Sequence, residues 1–362
     1  MNRCSEWYHG CGSVSGNTVV EGLRLDNVSH KYRKTDFLLS VDHFSGNRGE
    51  VICLLGPSGC GKSTILKLIA GLERLRTGVI MVNGKALSDA QNNTHIPTEK
   101  RNVGLVFQHP SLFHHQTVEE NVAFAVKEQG KERKIQRALH MLHLLGMDGH
   151  KGAYPHMLSG GQQQLVTIAR TMAQNPEIIL LDEPFSNLDI ILRSKIRADV
   201  LSIIRRERIT TLLVTHDPEE ALEVADKVYV IREGRIVQCG TPGEIYNNPK
   251  DAQLAQFFGK SNYFESVVCD GKVAVVGVGD IDASAFADGS RVAVCMRPEA
   301  IFLQQSGGIP ATVKLVRFFN SMVYIEVQGC AYWMKFAGSV LPEVGDVVSV
   351  SFDLSKVLLF RL

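Results

Sequence analysis

The sequence predicts an α/β domain built around a parallel sheet, followed by a small all-β domain. Three observations carry the prediction. Short apolar runs without polar alternation, Val51, Ile52, Leu54 and Leu55 among them, read as buried parallel strands. A glycine-rich turn, Gly56-Pro57-Ser58-Gly59-Cys60-Gly61-Lys62-Ser63, joins that run to a helical pattern from Thr64 to Ala70, where Ile65, Leu68 and Ile69 share a side. Beyond Tyr246-Asn247-Asn248-Pro249 the chain turns to short alternating runs punctuated by Gly and Pro.

The chain has 362 residues, 44% hydrophobic and 21% charged, which is ordinary globular composition and long enough for two domains. A net charge of +1 lacks the bulk positive potential of a nucleic-acid binder, so no nucleic-acid partner is expected. No apolar run approaches the length that spans a bilayer. Residues 1–22 lack the continuous apolar core of a secretory signal and read as a flexible extension. The eight cysteines are scattered, with no C-x-x-C pair. Cys60 lies inside the glycine-rich turn, where a disulfide would obstruct it, so reduced thiols in a cytoplasmic setting are expected.

Residues 23–32 alternate like a strand that ends at Tyr32, an aromatic that either stacks on a purine ring or packs as an edge-strand residue. Residues 37–46 and 49–55 read as two further strands. The turn after them fits the phosphate-loop template G-x-x-x-x-G-K-[ST] without a mismatch. Its glycines let backbone N–H groups converge on phosphate oxygens, and the following helix aims its positive end at the same place. Lys62 would then reach the β- and γ-phosphates, and the Ser63 hydroxyl would hold Mg²⁺. Residues 78–83 read as a strand, and the polar stretch 88–101 as a surface loop.

Residues 102–108 form a strand ending in Gln108, followed by His109, His114 and His115 in a polar loop whose spacing fits no zinc pattern. Helices are expected over 117–129, where Thr117, Glu119 and Glu120 give start chemistry, and over 135–145. This helical block interrupts the strand–helix alternation and reads as an inserted subdomain. Leu158-Ser159-Gly160-Gly161-Gln162 opens a further helix, to about Ala173, whose first turn also aims N–H groups outward.

Residues 177–183 are an apolar strand ending in Asp182 and Glu183. Such an ending suits a cation held by Asp182 and a water polarised by Glu183. Ser186 to Asp189 make a turn, 190–208 a helix, and 212–216 a strand ending in His216. Polar groups collected at strand ends are where open α/β sheets bind ligands, which favours a γ-phosphate contact for His216.

Together, residues 23–250 resemble the ATP-binding subunits of ABC transporters, to which the pentapeptide Leu158–Gln162 is highly specific. The resemblance implies an α/β P-loop NTPase with a RecA-like core, a β-subdomain and an inserted helical subdomain over about residues 110–172. By it, residues 56–63, with Thr64 following, are the Walker A loop, Asp182 the Walker B acid and Glu183 the catalytic base. Gln108 is similar to the Q-loop glutamine, which in the family also reaches the metal. Asp189 resembles the D-loop acid, His216 the switch histidine and Tyr32 the adenine-stacking aromatic. Such subunits work as head-to-tail dimers, with ATP between the Walker A of one copy and Ser159, Gly160, Gly161 and Gln162 of the other. Leu165 and Thr167 depart from the usual arginine and alanine of the signature helix, with little effect expected on the chemistry. Leu112-Phe113-His114-His115 departs from the usual LFPH.

Residues 262–362 read as a small all-β, OB-like barrel, and Met296-Arg297-Pro298-Glu299 resembles an element of the accessory barrel of ABC importer subunits. The resemblance implies an ATPase using ATP and Mg²⁺ at the cytoplasmic face of the membrane. Its partners would be permease subunits and, through them, a solute-binding protein. The compact barrel leans toward the ferric-iron group, with thiamine and polyamine importers as alternatives. The soluble translation type carries two signature motifs and the repair type a long coiled coil. This chain has one LSGGQ and no sustained heptads.

Overall fold

The structure is a computed structural model that describes residues 21–32, 36–186, 188, 190–304, 307–338 and 340–362. Most of the N-terminal extension, Cys4, Cys11 and Asp189 therefore lie outside the described residues. The chain forms two compact units, one reaching Asp217 and including Val224–Cys239, the other made of Pro218–Glu223 and Gly240–Leu362.

The first unit is organised by one sheet. Its strands are β1 (Glu21–Lys31), β2 (Leu38–Asn47), β3 (Val51–Leu55), β4 (Thr77–Val82), β5 (Lys85–Asp89), β6 (Thr94–His95), β7 (Val103–Val106), β8 (Ile178–Asp182), β9 (Thr210–Thr215), β10 (Lys227–Arg232) and β11 (Arg235–Gly240). They lie in the order β6-β5-β4-β1-β2-β11-β10-β3-β9-β8-β7. β10, β3, β9, β8 and β7 run parallel, whereas β6, β5, β4, β1 and β2 pair antiparallel.

All of β3 is buried, as its unbroken apolar run requires. Alternate residues feed two cores. Ile52, Leu54, Leu180 and Leu212 join Ile65, Leu68 and Ile69 of α1 (Lys62–Ala70), while Ile179, Leu181 and Leu213 join the helices on the other face. Those helices are α2 (Val118–Phe124), α3 (Lys131–Leu144), α4 (Gly160–Ala173) and α5 (Ile190–Arg206). α2 begins with a capping box on Thr117 and Glu120, as its start chemistry predicts. It stops at Phe124, short of the expected residue 129. Its end tightens through i→i+3 bonds from Ala125 and Val126, Val126 turns into the core, and Lys127 donates to the Asn102 side chain.

The stretch 88–101 is not a surface loop throughout. It holds the β5–β6 hairpin, and Arg101 at its end is only 2% exposed. The Arg101 Nε donates to the Ile96 carbonyl at 2.7 Å. Nη1 donates to the Leu68 and Ile69 carbonyls at 2.9 and 2.8 Å. Nη2 donates to Ser88 Oγ at 2.7 Å and His95 Nδ1 at 3.2 Å. A guanidinium has five N–H donors, so every one is used. The cation sits on the last carbonyls of α1, the negative end of that helix.

The second unit carries α6 (Pro218–Val224) up to Glu223, then α7 (Pro242–Asn247) and α8 (Ala252–Phe257). Ten strands follow among the described residues: β12 (Asn262–Val267), β13 (Lys272–Val275), β14 (Gly279–Asp282), β15 (Arg291–Met296), β16 (Ile301–Leu303), β17 (Ile309–Arg317), β18 (Met322–Val327), β19 (Cys330–Lys335), β20 (Val347–Phe352) and β21 (Val357–Arg361). The largest sheet runs β16-β20-β17-β18-β19, and its edge strands are not paired with each other, so the all-β unit is a curled half-barrel. Residues 240–261, which the sequence divides between the first domain and a connection, lie in this unit. Arg297 explains why. Its guanidinium donates to the Ala255 and Tyr246 carbonyls and stacks on the Tyr246 ring, while Glu299 accepts from the Tyr246 hydroxyl.

Candidate functional site

Four adjacent parallel strands, β3, β9, β8 and β7, end on the same side of the sheet. Past those ends come Gly56, His216, Glu183 and Gln108 in turn. This placement follows from strand direction alone, and it is where open parallel sheets hold ligands.

The glycine-rich turn leads from β3 into α1. Gly56 must be glycine, because a Cβ there would lie 2.2 Å from the Ile231 carbonyl oxygen. The Lys62 ammonium, 5% exposed, donates to the Gly56 and Pro57 carbonyls at 2.8 and 2.9 Å, so it stands across the mouth of the loop. Ser58 and Gly59 are exposed at the tip. Burial pushes the Cys60 thiol up, against the pull of Lys62, which keeps it a neutral thiol. None of the six described cysteines forms a disulfide. Tyr32 lies just past β1, with its hydroxyl 3.4 Å from Thr64 Oγ1 and its ring edge-on to His30. The structure therefore brings this aromatic to the first turn of α1.

Ser63 Oγ donates to Asp182 Oδ1 at 3.3 Å. Burial pushes the Asp182 carboxyl up, and Glu183 pushes it the same way, while Ser63, Lys62 and Lys67 oppose. A carboxylate that is costly to charge beside a hydroxyl is an oxygen donor set of the kind a hard divalent cation satisfies. Ser63 and Asp182 fit Mg²⁺ on that ground.

Glu183 has a backbone φ of 45°, in the left-handed region that non-glycine residues seldom occupy. Its N–H donates to the Val214 carbonyl at 3.0 Å, which ties the bend to β9. Its Oε2 lies 3.0 Å from His216 Nδ1 and 3.5 Å from Gln108 Nε2. A carboxylate only accepts, so the imidazole donates through Nδ1. Gln108 Nε2 also donates to Ser186 Oγ at 3.4 Å, and Ser186 Oγ donates to the Glu183 carbonyl at 2.9 Å. Two hydrogen-bonded sets, Ser63 with Asp182 and Glu183 with Gln108 and His216, thus meet through the adjacent residues Asp182 and Glu183, and Lys62 precedes Ser63 in the chain.

Ser159, Gly160, Gly161 and Gln162 form a second group at the start of α4. Ser159 caps the helix and Gln162 completes a capping box. The hydrogen bonds of Ser159 and Gln162 run to each other, to Gln163 and to His150. Thr167 is buried and bonds back to the Gln163 carbonyl, and Leu165 packs on the core, so both departures from the family pattern serve packing within the helical insert.

Sequence reasoning missed the residues that hold the Gln108 loop. Gln164 donates to the Phe107 carbonyl at 3.3 Å, and Arg170 donates to the Ser111 carbonyl at 2.6 Å while lying over the Phe113 ring. Asn121, fully buried, brackets Phe113 and Gln116. A polar residue on the apolar side of α2 was the signal available.

These features define a P-loop ATPase of the ABC type. The sequence matches the ABC transporter family over residues 39–186. It is 39% identical over 318 residues to a sulfate/thiosulfate import ATP-binding protein, CysA, of Bacillus cereus, covering 84% of this chain and 87% of the relative. It is 38% identical to an Fe(3+) ions import ATP-binding protein, FbpC 1, of Rhodococcus jostii, covering 90% and 91%. A spermidine/putrescine import ATP-binding protein, PotA, of Aliivibrio fischeri is 38% identical, with 78% and 77% covered. Among solved structures, a dimeric ATP-binding cassette in a post-hydrolysis state with ADP and Pi is similar at TM-score 0.52 and 29% identity, over 61% of this chain and 98% of that one. CbiO1 of Clostridium perfringens, part of the cbiONQ ABC transporter complex, is similar at TM-score 0.57 and 27% identity, over 64% and 91%. The chain belongs to the ABC transporter ATPases, as the ATP-binding subunit of an import system.

Proposed function

We propose that two copies of this chain, docked on permease subunits at the cytoplasmic face of the membrane, hydrolyse ATP to drive solute import, with ferric iron as the solute. The observation that carries the catalytic reading is the convergence of Lys62, Ser63, Asp182, Glu183, Gln108 and His216 beyond four adjacent strand ends. Residues 56–64 cradle the phosphates with backbone N–H groups, and Lys62 turns from its two carbonyls to the β- and γ-phosphates. Tyr32 stacks on the adenine. Ser63 and Asp182, with Gln108, hold Mg²⁺. When bound, Mg²⁺ neutralises charge on the transferring phosphoryl group. Glu183 accepts a proton from the attacking water, and His216 holds the Glu183 carboxylate in place and reaches the γ-phosphate. Ser159, Gly160 and Gly161 of the second copy offer N–H and hydroxyl donors to the same phosphate.

Permease docking is supported by apolar side chains left in water on the helical insert and its loop, namely Phe107, Phe124, Tyr154 and Met157. No helix among the described residues is long and apolar enough to cross a membrane. Ferric iron is supported by the compact C-terminal unit and by the iron-importer relative, which aligns over a larger share of both chains than the sulfate and polyamine relatives named above. The solute meets a binding protein and the permease, and no residue of this chain touches it. Uptake in a deletion strain tests the reading. Loss of radiolabelled ferric-iron uptake, restored by the intact gene, is expected. Normal iron uptake with lost sulfate, thiamine or spermidine uptake overturns the iron assignment and keeps the importer.

A further inference from the structure

The capping box at the start of α4 has an anchor outside the helix. Ser159 Oγ accepts from the Gln162 backbone N–H at 3.3 Å, and Gln162 Oε1 accepts from the Ser159 N–H at 2.9 Å. The other side-chain atom of Gln162, Nε2, lies 3.1 Å from Nε2 of His150. His150 closes the short 3₁₀ turn Asp148–His150 that precedes the helix. The chemistry decides which partner donates. The Ser159 N–H can only donate, so it must face Oε1, and the Gln162 NH₂ must therefore face His150. His150 can accept there only as a neutral imidazole with its proton on Nδ1.

We infer that His150 is a positioning residue for the Ser159–Gln162 end of α4, and that it does this work only while neutral. A protonated ring would set N–H against N–H. Turning the Gln162 amide over would relieve that clash but present NH₂ to the Ser159 N–H and open the box. One of the two bonds is lost either way. The inference rests on the reading that this helix end meets ATP bound by a second copy.

Asp148, on the same turn, is held by His143 of α3 at 3.1 Å. Lys151 follows in the chain, and its carbonyl accepts from the Glu119 N–H of α2. α4 itself carries one charged residue, Arg170, engaged at Ser111. Histidine is the side chain that ordinarily changes charge in mildly acid water.

The test measures ATP turnover by the purified full chain at saturating nucleotide, with affinity read by a fluorescent ATP analogue. At about pH 8, His150→Leu is expected to lower kcat by about fivefold, the kinetic equivalent of one lost cap interaction. Affinity for the analogue should stay within about twofold, because the phosphate loop is untouched. His150→Gln, whose carbonyl accepts at any pH, should restore most of the turnover. It should also keep more of its activity than wild type does as the medium is made acid. Undiminished kcat in His150→Leu overturns the inference, as do equal losses in the Leu and Gln variants or an unchanged acid limb in His150→Gln. Ser159→Ala in the same series separates the two readings. If it slows turnover while His150→Leu does not, only the role of His150 falls. If it turns over normally, the reading of the helix end falls and takes the inference with it.

Discussion

Replacing Arg101 with Met is expected to loosen the C-terminal end of α1, the helix that follows the glycine-rich turn. The side chain is 2% exposed and its donors reach three carbonyls, a hydroxyl and an imidazole. Methionine fills much of the space and satisfies none of them. Stranding the Ile69 and Ile96 carbonyls and the Ser88 hydroxyl costs about 1–3 kcal/mol each, or about 6 kcal/mol at the middle of that range, while the Leu68 carbonyl keeps its bond from the Gly71 N–H. Removing the cation returns part of this. Burial brings the Arg101 guanidinium down to about 10, which corresponds to about 3 kcal/mol of desolvation no longer borne. The net loss is about 3 kcal/mol, or about 6–12 °C in Tm for a unit of this size. Calorimetry of the full chain checks it. Gly71→Ala should cost a similar amount, since its Cβ would lie 2.3 Å from Arg101 Nε at a backbone φ of 83°. Because both changes break the same joint, their effects should not add. An Arg101→Met protein melting within about 2 °C of wild type, or full additivity with Gly71→Ala, refutes the reasoning.

Glu183→Gln should keep ATP binding and lower turnover by about 10²–10⁴, since an amide cannot take the proton of the attacking water; near-normal single-turnover hydrolysis would count against the assignment. Lys62→Ala should weaken equilibrium ATP binding through loss of the charge facing the phosphates, and unchanged binding by calorimetry would place the phosphates elsewhere. Burial, then Arg101 and Arg74, hold His95 below its ordinary value, so the native state binds fewer protons than the unfolded chain between that lowered value and about pH 6.5. Stability should therefore be full above that window and fall as the pH drops through it. His95→Gln should flatten the acid side of a Tm–pH profile, and an unchanged profile would sink the idea. Deleting 262–362 should spare nucleotide binding, because every residue at the strand ends precedes Asp217, yet leave the amides of 242–257 open to fast hydrogen exchange once Arg297 and Glu299 are gone. Lost ATP binding overturns the first half, and protected amides overturn the second.

The grouping of the candidate site residues was legible because the proposed chemistry is local in sequence. A phosphate loop needs its glycines, lysine and serine in fixed order, and Asp182 and Glu183 announce themselves as acids ending an apolar strand. The Thr117–Glu120 start of α2 was legible for the same reason. What escaped depends on partners distant in the chain. Arg101 looks like any charge in a polar stretch, and only the fold brings Leu68, Ile69 and Ser88 around it. Asn121 and Gln164 read as surface amides until the loop from Phe107 to Gln116 is laid over them. The β10–β11 hairpin was available to a closer reading, since Glu233 and Gly234 both take positive φ between two alternating runs. The attachment of α7 and α8 to the half-barrel was not, because Arg297 and Glu299 make it through hydrogen bonds that cross about forty to fifty residues.

The left-handed backbone at Glu183 sets stability and activity against each other at a single position. Glycine suits that conformation better than any side chain does, so Glu183→Gly should relieve about 1 kcal/mol of local strain. The relaxed protein would be sturdier and inert. Screening this chain for thermostability alone would favour erasing the base proposed for hydrolysis, and any such campaign must select for turnover in the same round.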